Sequence, residues 1–170
     1  MRLTAFSNYA LRTLQFAALR APGLTRIDEV AKAHGIKRAH IVKIVHLLGR
    51  EGYLETRRGR GGGFALARAP EAISVGEIVR LTEGPIELVE CHHPETNTCP
   101  LIGVCRLSRA LARALDAFLE SLDAVTIADI AANRGALLAR LSPESDADAE
   151  LQPSGAVTHS TVTDFARLRG

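Results

Sequence analysis

All three cysteines of the chain fall in one stretch of 15 residues, which reads Cys-His-His-Pro-Glu-Thr-Asn-Thr-Cys-Pro-Leu-Ile-Gly-Val-Cys from Cys91 to Cys105. Seven residues separate Cys91 from Cys99, and five separate Cys99 from Cys105. Thiols this close can act as a set when something holds them: a disulfide with one thiol to spare, a metal ion, or an iron–sulfur cluster. His92 and His93 place two imidazoles beside the first thiol, so a closed tetrahedral zinc site of three Cys and one His fits the same residues. A nucleophilic thiol would need a base and a pocket, with His92 or His93 as the base. Pro94, Pro100 and Gly103 interrupt the stretch, which therefore reads as a loop.

The rest of the chain has to position that loop. Its 170 residues suffice for one domain with a sizeable core, or a small domain with an appendage. Apolar residues make up 46%, but aromatics only 4% and there is no Trp, so the core should be built from Leu, Val, Ile and Ala. No apolar run approaches the ~18–20 residues that cross a bilayer. The opening Met-Arg-Leu-Thr lacks the apolar stretch of a secretion signal. The expectation is a cytoplasmic protein with no membrane association. Thiols stay reduced there, which weighs against the disulfide.

The net charge of +2 conceals a segregation. Residues 1–70 hold 13 Lys/Arg against 4 Asp/Glu, residues 71–141 hold 6 against 10, and residues 142–170 hold 2 against 5. Only the first part has the electrostatics of a nucleic-acid binder.

Helical periodicity accounts for that part. Ser7 can cap a first helix to about Arg20, with Leu11, Leu14 and Ala18 on one side. Thr25-Arg26-Ile27-Asp28 reads as a capping box for a second helix that Gly35 stops. A third helix, Lys37 to Glu51, buries Ile41, Ile44, Val45 and Leu48 and presents Lys37, Arg38, His40 and Lys43. Cations at a helix N-terminus cost ~0.3–1 kcal/mol each against the macrodipole, and a phosphate there would offset the cost. Two short alternating runs then flank Arg57-Arg58-Gly-Arg60-Gly-Gly-Gly63, a β-hairpin with an arginine-bearing tip. The glycine run lacks the spacing of a nucleotide-binding P-loop. Helix, helix, basic helix, hairpin is the order of a winged helix-turn-helix, whose third helix enters the major groove of double-stranded DNA. Arg26 joins Lys37, Arg38, His40, Lys43, Arg57, Arg58 and Arg60 as its candidate DNA-binding residues.

Ser74-Val-Gly-Glu77 is a capping box for a fourth helix, which Gly84-Pro85 ends. From Arg106 to about Ala124, Leu107, Leu111, Leu115, Phe118 and Leu122 form one stripe. A winged-helix module already has its own core, so this long helix is expected to pair with its copy in a homodimer. Thr126-Ile-Ala-Asp129 caps a last short helix. The expected fold is thus mainly α: a winged helix-turn-helix domain over 1–83, a cysteine loop over 84–105, a dimerisation helix with a short following helix over 106–141, and a flexible acidic tail over 142–170.

Several stretches together resemble a known family. They are Met1-Arg-Leu-Thr4, Tyr9-Ala-Leu-Arg12, Arg57 to Gly63, Leu88-Val-Glu-Cys91, Asn97-Thr-Cys-Pro100, Cys105-Arg-Leu107 and Ala117 to Asp123. The chain resembles, over about residues 1–140, the dimeric winged-helix repressors that carry iron–sulfur clusters, the family of NsrR, IscR and RirA. The likeness is strongest to the nitric-oxide-sensitive branch, with the iron-responsive branch close behind. It implies a 4Fe–4S cluster, or else a 2Fe–2S cluster, on Cys91, Cys99 and Cys105, and nitric oxide as the signal that releases a near-palindromic operator. Three cysteines leave one position of a 4Fe–4S cluster without a thiolate, and the expectation is a labile, non-cysteine fourth ligand there, which water or a small thiol could also supply. Asn8 stands where some relatives carry a carboxylate, and Ser108 stands where others carry a His, leaving Asn8, His92 or His93 as candidates. Asn8 and Arg12, one turn apart, are the expected coupling between cluster and DNA-binding helix.

Overall fold

A computed structural model of the chain describes residues 2–89 and 97–142. Cys91, His92 and His93 lie outside the described residues, as does the acidic segment after Ser142. The element order is α1 (Ala5–Arg20), α2 (Ile27–His34), α3 (Arg38–Arg50), β1 (Leu54–Arg57), β2 (Gly63–Leu66), α4 (Val75–Glu83), α5 (Arg106–Asp123), α6 (Ile127–Ala131) and α7 (Arg134–Leu141), with a 3-10 turn at Pro70–Ala72 between β2 and α4. Among the described residues no helix is long and apolar enough to cross a membrane.

The core sits where α1 crosses α3, α4 and α6. Leu14 from α1, Val30 from α2, Ile41, Ile44 and Leu48 from α3, Phe64 from β2, Ile78 from α4 and Ile127 from α6 are fully or almost fully buried there. The i, i+3, i+4, i+7 spacing of α3 makes this inevitable: one face is apolar and the opposite face is left to solvent. The wing is a two-stranded antiparallel sheet with Leu54 opposite Leu66 and Arg57 opposite Gly63. Thr25 adds one bridge to it, exchanging two 2.8 Å backbone hydrogen bonds with Phe64, which fastens the wing to the start of α2.

Four local expectations are corrected. Thr4, not Ser7, caps α1: Thr4 Oγ1 accepts from the Ser7 N–H at 3.2 Å, and Ser7 is buried inside the helix. The second helix starts two residues later than Thr25, because Thr25 is spent on the wing; Glu29 accepts from the Arg26 N–H at 2.8 Å instead. Lys37 is the N-cap of α3 rather than its first turn. The segment after α5 holds two short helices, not one, α6 being capped by Thr126 and Asp129 as expected.

α5 is the exception to the burial pattern. None of its 18 residues is buried, and Leu107 at its start is 64% exposed. It leans on α4, where Arg80 and Asp123 form a two-armed ion pair with N–O distances of 2.5 and 2.6 Å. Leu111, Leu115, Phe118 and Leu122 are each only half-covered within the chain.

Candidate nucleic-acid interface and cysteine loop

The outer face of α3 presents Arg38, His40, Val42, Lys43 and His46 to solvent, while Ile41, Ile44, Val45 and Leu48 hold the inner face. No acidic residue of α3 itself lies in its first turn, so the N-terminal N–H groups and Lys37 leave this end of the helix positive. Arg38 is not loose: its Nε donates to Asp28 Oδ1 at 2.7 Å, joining the start of α3 to the start of α2. His40 stacks on Tyr9 of α1, with ring centroids 6.0 Å apart and planes 21° from parallel. This contact links α1 directly to the exposed face of α3.

The wing tip turns through Gly59 and Gly61, whose φ angles of 101° and 82° lie in the region that side chains disfavour. A Cβ on Gly63 would come within 2.5 Å of the Thr25 carbonyl oxygen, so the close approach of wing to α2 demands glycine there. The result is a cleft of about 320 Å³ between wing, α2 and α3. Arg26, Arg38 and Arg57 all line it, with Asp28 as its one acid. The fold thus brings together three cations that are distant in sequence. Arg58 and Arg60 lie exposed at the tip beyond. Val42 and His46 were not singled out by the sequence. The helical period that placed Lys43 outward also places them there, and Val42 stands out as a branched apolar side chain 39% exposed.

At the other end, Cys105 is the N-cap of α5, and its Sγ accepts from the Ser108 N–H at 3.4 Å. Cys99 begins the turn before it: the Cys99 N–H donates to Asn97 Oδ1 at 2.8 Å, and the Cys105 N–H closes onto the Leu101 carbonyl at 3.0 Å. Leu101, Ile102 and Val104 between them are more than half exposed. Among the described residues no group of three His, Cys, Asp or Glu side chains converges as a metal site; Cys91 is not among them.

The loop leaves α4 just after Glu83, a residue the sequence did not single out. Glu83 Oε1 accepts from the Thr4 N–H at 2.7 Å and the Thr4 hydroxyl at 3.0 Å, and from the hydroxyl of buried Ser7. Thr82 Oγ1 lies 2.7 Å from Ser7 Oγ, extending the network. The carboxylate sits at the positive end of α1. Burial would raise its pKa, but the hydrogen bonds from Ser7 and Thr4 outweigh burial and hold it below the ordinary glutamate value. Asn8 and Arg12 follow on the exposed side of the same helix.

Comparison with known proteins follows the same architecture. The family model Rrf2, described as an iron-dependent transcriptional regulator, matches residues 3–133. The chain is 48% identical over 138 residues to the HTH-type transcriptional regulator NsrR of Geobacillus kaustophilus, covering 81% of this chain and 94% of that one. It is 42% identical over 135 residues to the HTH-type transcriptional regulator NsrR of Bacillus licheniformis, covering 79% and 94%. Among solved structures, CymR, the global cysteine regulator of B. subtilis, superposes with a TM-score of 0.63 at 26% identity, covering 78% of this chain and 97% of that one.

Proposed function

Because the chain belongs to the Rrf2 family of transcriptional regulators, we propose that it is a homodimeric repressor whose grip on a near-palindromic operator depends on an iron–sulfur cluster and is released by nitric oxide. Cys91, Cys99 and Cys105 would hold the cluster, 4Fe–4S in preference to 2Fe–2S. The donors fit: thiolates match iron in charge and softness, and the Ser108 N–H aimed at Cys105 Sγ is the kind of hydrogen bond that tunes cluster thiolates. When bound, a 4Fe–4S cluster on three cysteines supplies an iron without a fourth thiolate, open to a small diatomic. Asn8, His92 and His93 are the protein's candidates for that position.

The remaining work falls to side chains of the chain itself. Lys37, Lys43, Arg58 and Arg60 neutralise phosphates, while Arg38, His40, Val42 and His46 face base edges from α3. The half-covered stripe of α5 pairs with its copy, so that two recognition helices meet successive major grooves. The observation that carries the reading is how the cysteine loop is strung. It leaves the fold at Glu83, which is fastened to the start of α1, and re-enters at Cys105, the cap of α5. α1 in turn touches α3 through Tyr9 and His40. A change in the loop therefore has a short mechanical route to the recognition helix.

Anaerobic purification followed by visible absorption and iron and sulfide analysis tests the cluster, and nitric oxide titrated into a gel shift of the cluster-loaded protein tests the signal. Brown protein that lets go of its operator is expected. Colourless, iron-free protein that binds the promoter normally would overturn the reading. The family model's description as iron-dependent favours one second reading, an iron-responsive repressor. Cluster loss under a chelator, compared with loss under nitric oxide, separates the two.

A further inference from the structure

Five large apolar side chains are exposed among the described residues, and four of them, Leu101, Ile102, Val104 and Leu107, belong to the cysteine loop and the start of α5. The fifth is Val42, 39% exposed, on the outer face of α3. The winged-helix part of the chain thus leaves one branched apolar side chain in water, on the face that also carries Arg38 and Lys43. Nothing in the fold accounts for it. The inner face of the same helix is already complete with Ile41, Ile44, Val45 and Leu48. A solvated helix position gains nothing from valine, whose β-branching restricts its rotamers and puts its helix propensity below that of alanine, lysine or glutamate.

Position narrows what could cover it. Arg38, Val42 and His46 follow one another at four-residue intervals and form one row along α3, all three exposed. The row begins at the cleft between wing, α2 and α3, where Arg38 joins Arg26 and Arg57. Phosphates held at those guanidiniums would set the row against base edges. Helical side chains lean toward the N-terminus of their helix, so the Val42 methyls lie toward the turn holding Ala39, which is itself exposed and too short to screen them. In the major groove the base edges offer donors and acceptors, and the one alkyl group displayed is the C5 methyl of thymine. We infer that Val42 is a specificity-determining residue that reads a thymine in each operator half-site by seating its isopropyl group on that methyl. The inference rests on the DNA-binding role proposed above for α3 and adds the identity of one base. The contact takes two apolar groups out of water together, whereas cytosine or a purine at the same place leaves the valine against a polar edge or a gap.

Deoxyuridine tests it, because it pairs as thymidine does and lacks only the methyl. Full-length protein, purified anaerobically, selects its operator from a random duplex library, and each thymine of one half-site is then replaced in turn by deoxyuridine. One position is expected to lose about 4-fold in affinity, the worth of one buried methyl group. With Val42→Ala the duplexes with and without that methyl bind alike, while Lys43→Ala weakens both and keeps the difference between them. Alanine at this exposed helix position preserves the fold, being the better helix former. An operator indifferent to every uracil, or a loss that persists unchanged in Val42→Ala, overturns the inference and leaves the repressor reading standing. Failure to enrich any duplex defeats the repressor reading itself, and this inference with it.

Discussion

Replacing Glu83 by alanine removes the fastening between α4 and α1 at the point where the cysteine loop departs. Three donors converge on one carboxylate oxygen: the Thr4 N–H, the Thr4 hydroxyl and the Ser7 hydroxyl. Hydrogen bonds to a charged acceptor contribute ~1.5–3 kcal/mol each when well shielded. Here the three share one oxygen and the carboxylate is only part-buried, so the sum is discounted to about 2 kcal/mol. Because all three use Oε1, Glu83→Gln keeps an acceptor in the same place and loses only the charge, at a cost of about 1 kcal/mol or less. For a chain of this length these losses correspond to melting temperatures lower by ~4–8 °C and ~2–4 °C. The pH dependence has a definite sign. The Glu83 carboxyl is held below the ordinary value of 4.5, so its contribution is fully present above 4.5 and is lost as pH falls through the lowered value in the folded protein. Urea unfolding at fixed protein concentration, from pH 7 downward, should show a constant gap between parent and Glu83→Ala that closes only at the acid end. A gap under ~0.5 kcal/mol at pH 7, or a glutamine variant as unstable as the alanine one, would refute the argument, since either result means that the three hydrogen bonds do not hold α1.

Gly76→Ala should destabilise the protein by ~1–3 kcal/mol, because the added methyl falls on the Asp123 side chain and comes within 2.9 Å of its backbone nitrogen; thermal melting checks it, and an unchanged melting temperature would contradict the close seat of α5 on α4. Removing either wing arginine, as Arg58→Ala or Arg60→Ala, should reduce the slope of log K against log salt for operator binding by about 1, measured by gel shift across a salt series. Arg38→Ala should weaken operator binding at least ~10-fold, the equivalent of ~1.4 kcal/mol or more, if the proposed reading by α3 holds, since it removes a guanidinium that lines the arginine cleft beside α3 and pairs with Asp28. His34 packs edge-on against Phe16, and burial, then the charge of Arg12, lower its pKa below 6.5. The unfolded chain therefore takes up that proton first, stability falls as pH drops below 6.5, and His34→Gln should flatten the slope just below pH 6.5 in denaturant titrations.

The sequence by itself determined the order and type of elements through α6, because each is a local matter of period and cap. The 3.6-residue spacing of Ile41, Ile44, Val45 and Leu48 allows one buried face only, and Ser74 with Glu77 caps α4 as its spacing requires. It also gathered the cysteines into one stretch, which chain connectivity alone secures. What the tertiary structure decided depends on residues far apart in the chain. Thr25 could not cap α2 because its backbone is committed to Phe64, 39 positions on. Arg26, Arg38 and Arg57 share a cleft only because that same bridge draws the wing against α2. Glu83 reads in sequence as an ordinary helix-ending acid, and nothing local announces that its partners are Thr4 and Ser7. Periodicity reports which face of an element is apolar; it carries no information about which other element the polar ends will meet, and at Glu83 that meeting ties the start of the cysteine loop to α1, which packs under α3.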